Sequence, residues 1–123
     1  MAKRYARSGN TDEALTAPGS DVRELLGSGF HADPNGNTRK FWLRSVWAYN
    51  SHATQTALVQ VYDQDEGAAT AANERLAFPV PPETFVKIDF PAPGIQFSTN
   101  LTAGVTNGTI AIYQAGASGY EEG

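Results

Sequence analysis

The sequence contains no cysteine among its 123 residues. Neither a disulfide framework nor a thiolate metal site can form, so the fold must depend on packing and on any subunit contacts. No apolar run approaches the roughly 18 residues of a membrane span, and the first ten residues lack the apolar segment of a secretory signal. The sequence therefore predicts a soluble protein that is made and kept without export and has no membrane partner.

Basic residues are also scarce. The chain has 9 Lys and Arg against 13 Asp and Glu, which gives a net charge of −4. This balance disfavours the phosphate-tracking surface that dominates nucleic-acid binding. The basic residues that do occur gather at the N-terminus, as Lys3, Arg4 and Arg7. No nucleic-acid partner is predicted.

Catalytic motifs are missing too. A catalytic serine needs a base, and the only histidines, His31 and His52, lie in turn-forming segments with no G-x-S-x-G motif nearby. Neither a G-x-x-x-x-G-K nor a G-x-G-x-x-G phosphate loop occurs. The sequence predicts a protein that is not an enzyme and holds no cofactor.

One acidic cluster partly matches a calcium loop. Asp63, Asp65 and Glu66 offer hard oxygen ligands, and the segment that starts at Asp63 places Glu74 at position 12. Its glycine, Gly67, stands at position 5, whereas the calcium loop needs one at position 6. A polar loop explains the cluster better, so no metal is predicted and these three acids are only weak candidates.

Glycine and proline are plentiful, at 12 and 7 residues, which favours short strands joined by turns. Residues 1–20 show no sustained apolar period and are predicted to form an N-terminal arm. Residues 21–123 then form the single domain. The predicted fold is all-β, an antiparallel β-sandwich of jelly-roll type with an extended N-terminal arm.

The aromatic stretch from Lys40 to Asp63 predicts a hairpin of two strands with its loop near His52. If the first strand is continuous, one face carries Phe41, Leu43, Ser45, Trp47 and Tyr49, and the intervening residues lie on the other. Both faces hold large apolar groups, whereas a sheet with one side in solvent alternates more cleanly. A second cover is therefore expected, from the arm, the long loop or another subunit.

Later segments give further strand signals. Three prolines, Pro79, Pro81 and Pro82, restrict their segment to a sheet edge. Val86 and Ile88 alternate with polar neighbours and predict a half-buried strand.

Two segments have the composition of tight turns. His31–Arg39 contains Asp-Pro and Asn-Gly pairs, and Asn107-Gly108 is the strongest hairpin signal in the chain. The closing strand is predicted to run through Ile110 and Ile112, with Tyr113 on its other face.

The aromatic residues admit two interpretations. Trp42 with Phe85 or Tyr113 could form a sugar-binding platform on an exposed sheet face. An outward apolar patch is more typical of a protein interface. The predicted subunit-contact residues are Trp42, Arg44, Phe85 and Tyr113.

Several segments together resemble small β-sandwich virion proteins of tailed bacteriophages. The segments that carry the resemblance are, in chain order, LRSVWAYN, ALVQVYD, FPVPPETFVKIDFPAPGIQF and TNLTAGVTNGTIAIY. They match a strand ending in Asn, a "v-x-v-Y-D" strand, a Pro-containing segment before "V-x-I-D-F", a "G-I-x-F" step and an "NGT-x-x-I-Y" hairpin. The resemblance covers Leu43 to Tyr113.

Among such proteins, capsid decoration or cement proteins look closest in role. The resemblance implies a trimer on the outer capsid surface of the virion, made in the host cytoplasm, that grips the major capsid protein with its N-terminal arm. Lys3, Arg4 and Arg7 would suit an acidic shell surface, with Tyr5 as an anchor. A protein that binds only the assembled shell stabilises it by mass action.

Two alternatives remain open at this point. One is a tail, head-fibre or adaptor module of the same fold, and the other is a carbohydrate-binding module that uses Trp42 and nearby aromatic residues.

Overall fold

The computed structural model describes residues 4–17, 21–27, 40–106 and 110–122, and of Arg4 only the backbone. The elements in chain order are β1 (Arg4–Asn10), β2 (Arg23–Glu24), β3 (Phe41–Asn50), β4 (Ala57–Asp63), a 3₁₀ turn (Ala71–Asn73), β5 (Glu74–Val80), β6 (Thr84–Asp89), β7 (Ile95–Phe97), β8 (Leu101–Val105) and β9 (Gln114–Glu122).

These strands form two antiparallel sheets. The larger sheet has the order β1-β9-β3-β6, with β7 pairing the first residues of β3, and the smaller sheet has the order β2-β8-β4-β5. Buried apolar side chains of both sheets form one cluster, with Leu43 and Val46 from the larger sheet and Val59 and Val61 from the smaller. The predicted all-β antiparallel sandwich is confirmed.

The first strand differs from the predicted lead-in without regular structure. Residues Arg4–Asn10 pair along their whole length with β9, at one edge of the larger sheet. Further on, Leu15 is fully buried and bridges Ile112. An edge strand with polar side chains gives no apolar period, so composition alone suggested an arm. The predicted boundary at residue 20 adjoins residues 18–20, which lie outside the described residues.

The faces predicted for β3 are wrong beyond its third residue. The register of β3 against β9 shifts between Leu43 and Ser45, which is a β-bulge at Arg44. The extra residue exchanges the two faces, so Val46 and Ala48 join Phe41 and Leu43 in the core. A strict period of two cannot show this exchange. The bulge explains why both predicted faces carried large apolar groups.

The predicted hairpin of β3 and β4 is wrong, because β3 belongs to the larger sheet and β4 to the smaller, and the two strands do not pair. The side-chain patterns of β4, β5 and β6 follow the prediction. In β4, Ala57, Val59 and Val61 are fully buried. The proline-containing strand β5 pairs only with β4 and forms an edge of the smaller sheet. In β6, Val86 and Ile88 are half-buried between exposed neighbours.

The predicted closing strand is also wrong. Ile110 and Ile112 are buried but precede the last strand, which is Gln114–Glu122, QAGASGYEE. This segment is rich in glycine, alanine and serine and shows no clear alternation, yet it lies between β1 and β3 inside the larger sheet. The predicted turn at His31–Arg39 and the hairpin at Asn107-Gly108 lie outside the described residues.

Candidate functional site

The outer face of the larger sheet carries the candidate site. The register of its strands places four cross-strand pairs on that face: Trp42 with Tyr120, Ser45 with Ser118, Trp47 with Gly116 and Tyr49 with Phe85. Aromatic side chains thus stand at both ends of the face, and small residues lie between them.

A groove opens in the middle of this face, with a volume of about 590 Å³. Its floor is made of small residues, among them Ser8, Ser45, Ser118 and Gly119. The hydroxyl oxygens of Ser45 and Ser118 are hydrogen-bonded to each other. Because these side chains are short, they leave a depression between the larger side chains that line the groove, such as Arg44, Phe90 and Tyr120.

Trp47 closes one end of the small-residue row. A Cβ atom on Gly116 would lie 2.6 Å from Cζ2 of Trp47, so the indole ring occupies the space above that glycine. Glycine at this position therefore permits the ring to lie against the outer face of β9.

The bulge in β3 aims Arg44 into the groove. Its Nε donates to the Phe90 carbonyl at 3.0 Å, and its own carbonyl accepts from the Phe90 amide at 2.8 Å. This pair of bonds fixes the base of the guanidinium group. Among the described residues no carboxylate lies within ion-pair distance of Arg44.

The other charged groups on the groove are paired. Nη1 of Arg7 lies 3.1 Å from Oε2 of Glu121, whose side chain is only 8% exposed. Nζ of Lys87 lies 3.9 Å from Oδ1 of Asp89, and both side chains are exposed. Arg44 thus gives this part of an acidic protein a positive charge.

The residues predicted to grip a capsid have different surroundings. Tyr5 is 54% exposed on β1. Arg7 is half-buried and bound to Glu121 within the chain. Lys3 and the side chain of Arg4 lie outside the described residues.

The structure brings three of the four predicted subunit-contact residues to one sheet face. Arg44 lines the groove, and Trp42 lies on the same face as the cross-strand partner of Tyr120. Phe85, 57% exposed, is also on this face, beside Tyr49. Tyr113 is 70% exposed and precedes β9, outside the groove lining.

The acidic cluster proposed as a weak calcium candidate has structural partners. Asp63 is buried, and its Oδ1 accepts from the backbone amides of Thr99 at 2.8 Å and Asn100 at 3.3 Å. Oε2 of Glu66 accepts from the Glu24 amide at 3.1 Å. Within the described ranges, no three His, Cys, Asp or Glu side chains are grouped so that they could hold a metal ion.

The one histidine that the structure describes, His52, shapes a loop. Its Nδ1 accepts from the amides of Thr54 and Gln55, each at 3.1 Å. Nδ1 of His52 therefore holds the β3–β4 connection in place. His31 lies outside the described residues.

Tyr62, near the end of β4, is a buried tyrosine with an altered pKa. Burial, and next the nearby Glu74 carboxylate, raise the pKa of Tyr62 above 10.0. Tyr62 is 4% exposed on β4, so its phenol is a buried, neutral group.

Sequence reasoning missed most of the groove. Ser8, Ser118 and Gly119 lie in segments that showed no strand pattern, and only the pairing of β1 and β9 brings them beside β3. The sequence pointed to this face only through β3, where Trp42 and Arg44 were predicted as subunit contacts.

A scan against models of known protein families and a search of curated proteins both find no match to this chain. In the part of the chain that the structure describes, no helix is long and apolar enough to cross a membrane.

Proposed function

We propose that this protein is a non-enzymatic structural protein of a tailed-bacteriophage virion, which binds the outer capsid surface as a decoration protein. Its partners are the major capsid protein and two further copies of itself. The proposal combines the resemblance of Leu43–Tyr113 to small virion proteins with three features of the fold.

Strand order supports a jelly roll. In each sheet, strands from the first half of the chain alternate with strands from the second half, as β1-β9-β3-β6 and β2-β8-β4-β5. Jelly rolls have this two-sheet arrangement, and viral capsid proteins use it widely.

The observation that carries the proposal is the outer edge of β1. This strand of seven residues pairs with β9 on one side, and no described strand pairs with its other side. A strand edge presents unpaired amide and carbonyl groups that can accept a strand from another chain. Tyr5, 54% exposed, lies on this strand as an aromatic anchor.

Of the other edge strands in the described fold, the two of the smaller sheet are protected, and β6 of the larger sheet is assigned to the contact between copies. β5 contains Pro79, which cannot donate to an added strand, and β2 has only two residues. β1 has neither form of protection, because it is long and contains no proline. We infer that a strand of the shell protein pairs with β1.

Contacts between the three copies are assigned to two other exposed aromatic side chains. Phe85 on the edge strand β6 is 57% exposed beside Tyr49, and Tyr113 is 70% exposed. Exposed aromatic side chains of this kind are enriched in protein interfaces.

The test blocks the outer edge of β1 without disturbing its pairing with β9. The amide of Thr11 donates to the Ala115 carbonyl of β9 at 2.9 Å. Amides of successive strand residues point to opposite edges, so those of Ala6 and Ser8 face outward. Ala6→Pro removes one outward donor, and Ala6→Val is the matched control that keeps it.

We expect the unaltered protein and Ala6→Val to co-sediment with empty capsid shells of the phage that encodes the protein. Ala6→Pro should bind about tenfold more weakly, because a hydrogen-bonded strand contact is lost. Equal binding of both variants would contradict the edge contact. Binding to purified tails in place of shells would overturn the decoration role and favour a tail or adaptor module.

A further inference from the structure

We propose that the groove on the outer face of the larger sheet binds an acidic saccharide, with Arg44 recognising a sugar carboxylate. This inference goes beyond the virion role and does not depend on it, since the site belongs to a single chain. Charge, hydrogen-bonding groups and aromatic side chains in the groove each support it.

Charge complementarity identifies the anionic part of the ligand. The side-chain hydrogen bond of Arg44 within the described residues uses Nε, which donates to the Phe90 carbonyl. Its two Nη atoms therefore remain available to a ligand. A guanidinium group presents paired donors that match a carboxylate. Arg7 and Lys87 each face a carboxylate of this chain, so Arg44 is the groove cation left to receive a ligand.

The position of Arg44 is fixed before any ligand binds. Two hydrogen bonds join Arg44 to Phe90 at the bulge in β3. The aliphatic part of the Arg44 side chain also lies close to Gly94, since a Cβ atom on that glycine would lie 3.0 Å from Cδ of Arg44. A donor held in place loses little conformational freedom on binding.

The floor of the groove suits the hydroxyl groups of a sugar. Ser8, Ser45 and Ser118 line it, and serine hydroxyls both donate and accept hydrogen bonds. Ser45 and Ser118 are bonded to each other, and each hydroxyl oxygen can still accept a further hydrogen bond. An extended acidic peptide would offer them only the backbone groups of one edge, whereas each ring of a saccharide carries several hydroxyl groups. The floor therefore favours a saccharide over an acidic peptide.

Aromatic groups complete the site. Tyr120, 41% exposed, lines the groove and pairs across the strands with Trp42. Aromatic rings beside a few fixed polar groups are typical of ligand sites, and a volume of about 590 Å³ falls in the usual range for them. The tyrosine ring would contact the apolar face of a sugar ring while its hydroxyl stays in water.

The test measures binding of the full chain to trigalacturonate and to the neutral galactotriose by titration calorimetry. We expect trigalacturonate to bind at least about tenfold more tightly, since only it offers carboxylates to Arg44. Arg44→Gln should weaken trigalacturonate binding about tenfold and leave galactotriose binding unchanged. Tyr120→Ala should weaken binding of both sugars.

Two matched controls accompany these variants. Leu58→Ala removes an exposed apolar side chain of the smaller sheet, and Arg75→Gln removes a cation on the same sheet, so neither should alter binding. If Arg44→Gln does not fold, Tyr120→Ala and the difference between the two sugars still decide the question. Equal affinity for both sugars, no binding of either, or equally tight binding of tetraglutamate would overturn the proposal.

Discussion

Buried polar side chains fix the loops of this domain. Asn50 is fully buried, and its Nδ2 donates to the carbonyls of Gln55 and Val80, while its Oδ1 accepts from the His52 amide. Asp63 does the same for the segment after β7, where it accepts from three successive amides. Each of these side chains occupies the last position of a strand and satisfies backbone groups that the sheet does not pair.

Replacing Asp63 with asparagine should lower the free energy of unfolding by about 2–3 kcal/mol. The substitution keeps the shape but removes the charge and replaces one of the two oxygens that accept from the Ser98 amide with a donor group. Urea denaturation measures the change. The control is Asp89→Asn, since that carboxylate is exposed and should contribute less than about 0.5 kcal/mol. Equal effects of the two substitutions would contradict the anchoring role of Asp63.

At the scale of elements, β9 shows why small residues can form a central strand. It lies between β1 and β3, and its glycines face large groups of neighbouring strands. A Cβ atom on Gly119 would meet the Trp42 carbonyl and would lie 2.8 Å from Cζ of Phe41. Glycine lowers strand propensity, but here it permits close packing that a larger residue would prevent.

Gly119→Ala should therefore destabilise the protein by about 1–3 kcal/mol, because the added methyl group has no space beside β3. The thermal midpoint and urea denaturation both report the loss. Gln114→Ala, at an exposed position of the same strand, should change stability by less than about 0.5 kcal/mol. A Gly119→Ala variant as stable as the parent protein would contradict the packing of β9 against β3.

At the scale of the whole molecule, a small sandwich leaves much apolar surface in water. Five large apolar or aromatic side chains are exposed in the described single chain: Tyr5, Leu58, Phe85, Tyr113 and Tyr120. They lie on separate parts of the molecule, which fits separate contacts with a shell, with further copies and with a ligand. The proposed trimer contact uses two side chains of this set, Phe85 and Tyr113.

Light scattering of the purified protein should give a mass of three chains over a wide range of concentrations. Phe85→Ser should shift the mass toward one chain, because the proposed subunit contact loses its aromatic anchor. Leu58→Ser, at an exposed position of the smaller sheet, should leave the trimer intact. A monomer at every concentration would remove the trimer from the proposed function and leave the edge of β1 as the remaining contact.

Much of the fold could be predicted from sequence where apolar residues alternate. Ala57, Val59 and Val61 in β4 and the alternation in β6 identified half-buried strands, since packing on one face of a sheet imposes a period of two. The candidate site was predicted only in part. Arg44 was predicted as an exposed contact residue, but the serines of the groove floor carry no periodic signal.

The sequence by itself determined the all-β class through its alternating side chains and the edge position of β5 through its prolines. The lack of cysteine excluded disulfides. Each of these effects depends on residues within one segment and not on their neighbours in space. Tertiary structure decided the rest. It placed a polar segment as β1 and a glycine-rich segment as β9, and it exchanged the faces of β3 at Arg44. Strand pairing depends on what lies beside a segment in space, so a bulge, a groove and a polar edge strand appear only when distant segments are brought together.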